Sequence, residues 1–310
     1  MLPFLLAAAL LLQDNPPKPP PLPGARESTP ATPHAPETKL VPGVLPESTG
    51  AEERVLWQAL CAAALAKGAT RTPLTAFDLW LDVTINSSSN QTNEATTLRY
   101  RYQAPDRLRA MTEHGYELVR GPKGDLLIDP KRNLKEALAV GREGDEDRRT
   151  LEEILDLARN FVALSDPAAL RIAEMKLGRV EAALLPEELR ASAVELKWLE
   201  LRSPDFRLPR GSAQTASAPG GLVRVRLGLR KDKPLPELCI VSGEQPGAQL
   251  STLIRVPEYR EKQGLLVPWQ LRIHGLDESG SRFEAKPALL IWLKKDSDLH
   301  PSFAPEIFAP

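Results

Sequence analysis

The chain has 310 residues, with 40 Lys and Arg against 41 Asp and Glu and a net charge of −1. Charge this balanced excludes the basic stripe of a nucleic-acid binder, and two cysteines are too few for a disulfide scaffold, a cysteine-rich zinc module or an iron–sulfur site. Hydrophobic residues make up 42%, enough to form a core, whereas the 30 prolines are about twice ordinary usage.

Leu2 to Leu12 is an apolar run broken only by Pro3 and closed by Gln13-Asp14-Asn15. It is too short for a transmembrane helix, which takes about 20 residues, and its length suits the core of a secretory signal peptide. Residues 1–14 are therefore expected to be an export signal, and the protein to be exported to the periplasm or cell envelope. Residues 15–50 carry PPKPPPLPG, TPATPHAP and VPGVLPESTG. Proline fixes φ and removes backbone donors, so this stretch is expected to be a disordered, semi-extended linker. The folded domain is expected over 51–310.

That domain opens with a helix of about 16 residues. Val55, Leu56, Ala59, Leu60, Ala63 and Ala64 recur at helical spacing, Ser48 or Thr49 supplies a cap, and Gly68 a stop. A period of two follows. Phe77, Leu79, Leu81, Val83 and Ile85 alternate with Asp78, Trp80, Asp82 and Thr84, then Leu98, Tyr100 and Tyr102 with Arg99, Arg101 and Gln103. Further strands are expected at 107–113, 116–120 and 125–129, an antiparallel meander without βαβ units.

The middle is helical. Thr150 and Glu153 form a capping box for a helix over 151–164, and Ser165-Asp166-Pro167 opens a second short one. Alternation returns at Val194, Leu196 and Trp198, and again at Val223, Val225, Leu227 and Leu229, with strands expected at 237–242, 249–256, 266–274 and 282–293. The sum is an α+β domain with about ten strands.

Catalytic signatures are missing. The chain has no G-x-S-x-G elbow, P-loop or G-x-G-x-x-G, and its four histidines lie far apart. Asp78 and Asp82 share a strand face at roughly 13 Å, farther apart than a glycosidase pair, and are expected to face water. A non-enzymatic protein without a cofactor is the resulting expectation. Cys61, on the first helix, and Cys239, in a late strand, would either join in a disulfide in an oxidising compartment or remain as buried small hydrophobes; both readings stay open.

Four stretches, taken in chain order, resemble the LolA/LolB-like superfamily of periplasmic lipoprotein carriers. They are the opening helix with FDLWLDVTI, then LRYRYQAPDRLRAM, then GDLLIDPKRNLKEAL, and the closing IWLKKDSDLHPSFAP. The Arg that the family places directly before the Pro of the second stretch is here Ala104, with Arg107 and Arg109 following. The resemblance implies a curved antiparallel sheet, an incomplete β-barrel, covered by the N-terminal helix and a central helical insert.

On such a sheet Phe77, Leu79, Leu81, Tyr100, Val225, Leu227, Trp269, Leu271 and Ile273 would line an apolar concave side. Leu155, Phe161 and Val162 of the insert would form a lid over it. The ligand expected there is an acyl chain or lipoprotein lipid, each buried methylene contributing about 0.8 kcal/mol. The alternative is a structural or protein-interaction module of the envelope, meeting a protein partner, in which the same residues pack against the helices and leave no cavity.

Overall fold

Alternating apolar and polar residues dominate the chain beyond Thr75, and they build one antiparallel sheet. The computed structural model describes residues 40–86, 93–104, 107–113, 115, 117–121, 124–129, 134–137, 158–206, 208, 222–243, 251–277 and 279–308. The strands are β1 (Ala76–Asn86), β2 (Asn93–Gln103), β3 (Arg107–Thr112), β4 (Glu117–Gly121), β5 (Gly124–Asp129), β6 (Leu134–Ala137), β7 (Glu174–Leu177), β8 (Lys197–Ser203), β9 (Val223–Leu229), β10 (Pro236–Ser242), β11 (Ser251–Lys262), β12 (Leu265–His274) and β13 (Leu289–Leu293). Their order across the sheet is β6-β5-β4-β3-β2-β1-β13-β12-β11-β10-β9-β8-β7. Two meanders thus meet at a seam where Leu81 pairs with Leu293 and Val83 with Ile291. β6 and β7 form the two edges, so the sheet is open and not a closed barrel.

The expected count of about ten strands compares with thirteen among the described residues. β6 and β7 have four residues each, too few to display an alternation. Elsewhere the pattern misled. Val194, Leu196 and Trp198 straddle the end of a helix, α3 (Glu187–Glu195), whose Val194 side chain points to solvent, and the strand begins only at Lys197. The strand expected over 282–293 is confined to its last five residues; before it, Phe283 forms an isolated antiparallel bridge with Leu276.

Helix α1 (Ala51–Ala63) turns Leu56, Trp57 and Leu60 inward. Its N-cap is Gly50, with no side-chain cap, so neither Ser48 nor Thr49 takes that role. The Thr49 carbonyl instead accepts from Arg54 Nε at 3.0 Å. The other end of α1 is tied to the sheet: Ala66 N donates to Gly264 O at 2.9 Å and Leu266 N to Ala64 O at 2.8 Å. Gln263 and Gly264 form the β11–β12 hairpin turn with φ of 47° and 83°, the left-handed pair that matches strand twist. Gln263 tolerates that backbone with its amide fixed at both ends, Nε2 donating to Asp298 Oδ1 and Oε1 accepting from Leu299 N.

Residues 158–165 are helical (α2), overlapping the expected 151–164 helix and ending one residue beyond it. Leu155 and the Thr150–Glu153 box lie outside the described residues. After α2, Pro167–Ala169 makes a single 3-10 turn with Pro at its first position, in place of a second α-helix. Residues 40–50, the end of the expected linker, lie against the domain: Gly43 N donates to Leu170 O at 2.9 Å, and Arg54 Nη2 to Pro46 O at 3.0 Å.

Candidate functional site

The sheet has an apolar inner face and a largely polar outer one. All nine residues singled out for the inner face are brought into one cluster. Phe77, Leu79, Leu81, Tyr100, Val225, Leu227, Leu271 and Ile273 are each at most 4% exposed, and half-buried Trp269 packs against them. Register explains the convergence. Phe77 stands opposite Tyr102 and Leu79 opposite Tyr100, and Phe77 stacks on both tyrosine rings, with centroids 5.0 Å and 5.5 Å away. Across the seam, Ile291 and Leu293 carry the cluster from Leu81 to Leu271 and Ile273. Cys239, Val241 and Ile254 then link it to Val225 and Leu227.

The two described lid residues, Phe161 and Val162 of α2, contact this cluster, and α1 adds Trp57 and Leu60. Inner-face residues that sequence reasoning did not select include Leu98, Leu199, Leu201, Val256 and Val267. Their alternation is visible along the chain, but membership in one cluster required the strand order. Trp269 occupies a margin of this face, where the Arg260 guanidinium lies 4.4 Å from its ring centroid as a cation–π pair.

The thiols are free, so the bridge between Cys61 and Cys239 does not form. Burial, then the nearby Asp166 carboxylate, push Cys61 up to about 12 against a smaller opposing effect of Arg71. Burial alone raises Cys239. Both are poor nucleophiles in the folded chain, because the thiolate is the reactive form.

The outer face also differs from expectation. Asp78 does not face water; it is buried. Arg99 grips it through two hydrogen bonds at 2.8 Å and 2.6 Å, Arg101 approaches to 3.3 Å, and the Arg99 fork also lies over Trp80. Asp82 remains half-exposed while accepting from Thr97 Oγ1 at 2.9 Å and pairing with Lys294. These carboxylates hold strands together. Among the described residues, no group of three His, Cys, Asp or Glu side chains is placed to hold a metal ion.

A second cluster caps part of the outer face. Leu189 and Ala193 of α3, with Leu185 and Phe283, pack on Trp198, Leu238, Ile240 and Leu253. Beside this cap lies a half-open groove of about 520 Å³ over β7–β10, bounded by Leu184, Leu276, Gly280 and Phe283. Register lines up its polar side: Glu174 opposite Arg202 and Arg224 next to it, Lys176 opposite Glu200 and Arg226 next to it. Arg226 Nε donates to Glu200 at 2.8 Å, Lys176 Nζ lies 3.2 Å from the same carboxylate, and Arg224 reaches it only at 3.7 Å. Partial burial raises the Glu200 carboxyl, but the hydrogen bonds from Arg226 and Lys176 together outweigh it and hold the group below its ordinary value. Strand alternation alone puts Arg224 and Arg226 on a polar face; the groove emerges only from the pairing of β7, β8 and β9.

His274 is buried near the same cap. Its Nδ1 lies 2.9 Å from Glu284 O, and its Nε2 has no partner among the described residues. Burial lowers its pKa, opposed in part by the Glu284 carbonyl and Glu188 and reinforced by Arg255 and Arg272.

No family model matches the chain, and neither does any curated protein. Among solved structures it is similar to a LolA superfamily protein, NE2245, from Nitrosomonas europaea, at 9% identity and a TM-score of 0.47 over 83% of this chain and 97% of that one. It is also similar to a DUF1329 family protein from Desulfovibrio piger, at 10% identity and a TM-score of 0.45, covering 83% and 96%. A third is a putative outer membrane lipoprotein-sorting protein domain from Vibrio parahaemolyticus, at 8% identity and a TM-score of 0.43, also covering 83% and 96%. At these scores the likeness carries no argument about activity. No described helix is long and apolar enough to cross a membrane.

Proposed function

We propose that the protein is an exported, non-enzymatic binding protein for acyl chains or the lipid part of lipoproteins, acting in the cell envelope as a carrier or sensor. The observation that supports this most is the inner face. It is apolar from Leu118 on β4 to Met175 on β7, and it is covered by the short helices α1 and α2 instead of a second sheet. A cover of that kind can lift without breaking any strand ladder, and each methylene a guest buries beneath it contributes about 0.8 kcal/mol. The N-terminal arm, on this reading, tethers or spaces the domain, and an envelope protein delivers or receives the lipid.

The test is uptake. The purified chain should bind a fluorescent fatty acid saturably, or carry lipid detectable by native mass spectrometry. A bare protein that takes up no fatty acid would sink the reading. The second reading, a structural or interaction module with a filled interior, is favoured by the near-complete burial of eight of the nine inner residues. It expects a protein partner to be captured while the chain binds no lipid.

A further inference from the structure

We infer that Arg255 and Arg272, side by side on the outer face, form the seat of a binding site for a phosphate group. The site lies on the opposite side of the sheet from the apolar cluster and is independent of the lipid reading. The two arginines are direct partners across the β11–β12 ladder. Residues so placed have Cβ atoms about 4.5–5.5 Å apart, and like charges there repel. Among the described residues neither guanidinium forms a hydrogen bond or an ion pair, and both Nε atoms are buried without a partner. Such orphaned donors are costly. Other arginines of the sheet are matched: Arg99 and Arg101 with Asp78, Arg109 with Glu117, Arg226 with Glu200.

The carboxylates nearby do not serve the pair. Glu258, the next outward residue of β11 beyond its bulge, is held by Arg260 at 2.7 Å and 3.2 Å, and exposed Glu188 of α3 reaches neither arginine. His274 continues the row, two positions beyond Arg272 on the same face. It is 3% exposed; its Nδ1 donates to Glu284 O at 2.9 Å, which leaves Nε2 without a partner among the described residues. Three buried, unpartnered nitrogens thus occupy adjoining positions of one ladder. The α3 cap covers Leu238 and Leu253 but leaves both arginines partly exposed, so a ligand meets their terminal nitrogens. A single fork is enough for a carboxylate. Two forks side by side call for more oxygens and more charge, which a phosphate group supplies with three acceptor oxygens and about −1.5 to −2.

The probes are inorganic phosphate, with chloride at equal ionic strength as control, and phosphatidylcholine vesicles with and without phosphatidic acid. They are tested on the full chain and on Arg255→Gln, Arg272→Gln and Arg272→Lys by calorimetry, thermal melts and vesicle co-sedimentation. In chloride both glutamine variants should melt no lower than wild type, because each removes one of two opposed charges; this also verifies folding. Phosphate should bind wild type saturably and raise its melting midpoint. Either glutamine variant should weaken binding about tenfold or more, and Arg272→Lys, which keeps the charge and loses the fork, by a smaller factor. Binding of free phosphate with no pelleting identifies a soluble phosphate as the source. Pelleting with phosphatidic acid vesicles that Arg272→Gln abolishes identifies a lipid headgroup. Absence of saturation by about 10 mM phosphate together with no pelleting overturns the inference. So does binding or pelleting of equal strength in wild type and both glutamine variants.

Discussion

Gly228 sits under the Trp198 indole, its partner across the β8–β9 ladder, on the outer face capped by α3. A Cβ added there would lie 2.7 Å from Leu196 Cδ1 and 2.9 Å and 3.0 Å from two carbons of the Trp198 ring. Leu196 yields cheaply, because the contact is the far end of a flexible side chain. The indole does not: it is buried, and its Nε1 donates to Ala193 O at 3.1 Å, which pins it beneath the last turn of α3. Gly228→Ala is expected to cost about 1–3 kcal/mol, the usual penalty of overpacking. For a domain of this size each kcal/mol moves the melting midpoint by roughly 2–4 °C, so a fall of about 3–10 °C should appear in a circular-dichroism melt. Trp198→Phe removes the two ring carbons in conflict. In that background the same glycine substitution should cost at least about 1 kcal/mol less, a coupling that a double-mutant cycle measures. An unchanged midpoint in the first variant, or equal losses in both backgrounds, refutes the packing argument.

Replacing Asp78 by Asn leaves Arg99 and Arg101 without their shared buried carboxylate, and should destabilise the domain by about 2–4 kcal/mol in urea titrations; a loss below about 0.5 kcal/mol would show the cluster to be solvated. Leu79→Ala, at a fully buried inner position, should cost about 2–5 kcal/mol in the same assay, and a smaller loss would indicate an interior that collapses readily around the deletion. Because burial holds His274 below the ordinary histidine value of about 6.5, the unfolded chain binds this proton more readily. The stabilising contribution of neutral His274 is present above about pH 6.5 and is lost as pH falls through that value towards the folded pKa. His274→Gln should therefore flatten part of the stability decline between about pH 7.5 and 5.5, and parallel curves for variant and wild type would contradict this. With both thiols free and burial-raised, a disulfide-exchange reagent at pH 8 should label neither Cys61 nor Cys239 quickly, and label both on unfolding. Rapid native labelling, or none after denaturation, would be inconsistent with the structure.

Much of the architecture was readable along the chain where a strand keeps one face buried. The alternation through Phe77, Leu79 and Leu81 on β1, and through Val225 and Leu227 on β9, maps directly onto the inner face. Where local chemistry is ambiguous it failed. Leu189 and Ala193 give α3 only a narrow apolar stripe, so the strand-like spacing of Val194, Leu196 and Trp198 was the more visible pattern. The β1–β13 pairing had no local signal at all, because it joins residues such as Leu81 and Leu293 from opposite ends of the domain. Asp78 was misjudged for the same kind of reason: its alternation places it outward, but the arginines two strand positions apart on β2 close over it. The groove needed cross-strand register too, since Lys176, Glu200 and Arg226 become neighbours only once β7, β8 and β9 lie side by side.

The strand order carries a kinetic consequence. Eleven of the twelve ladders among the described residues unite strands consecutive in the chain, so each half can knit itself by successive hairpins; β1 with β13 is the exception among them. That clasp closes a loop of more than two hundred residues, and loop entropy makes such an encounter late and slow. A nick between β6 and β7 would sever no ladder, so the fragments on either side retain, at β1 and β13, the edges by which they recognise one another.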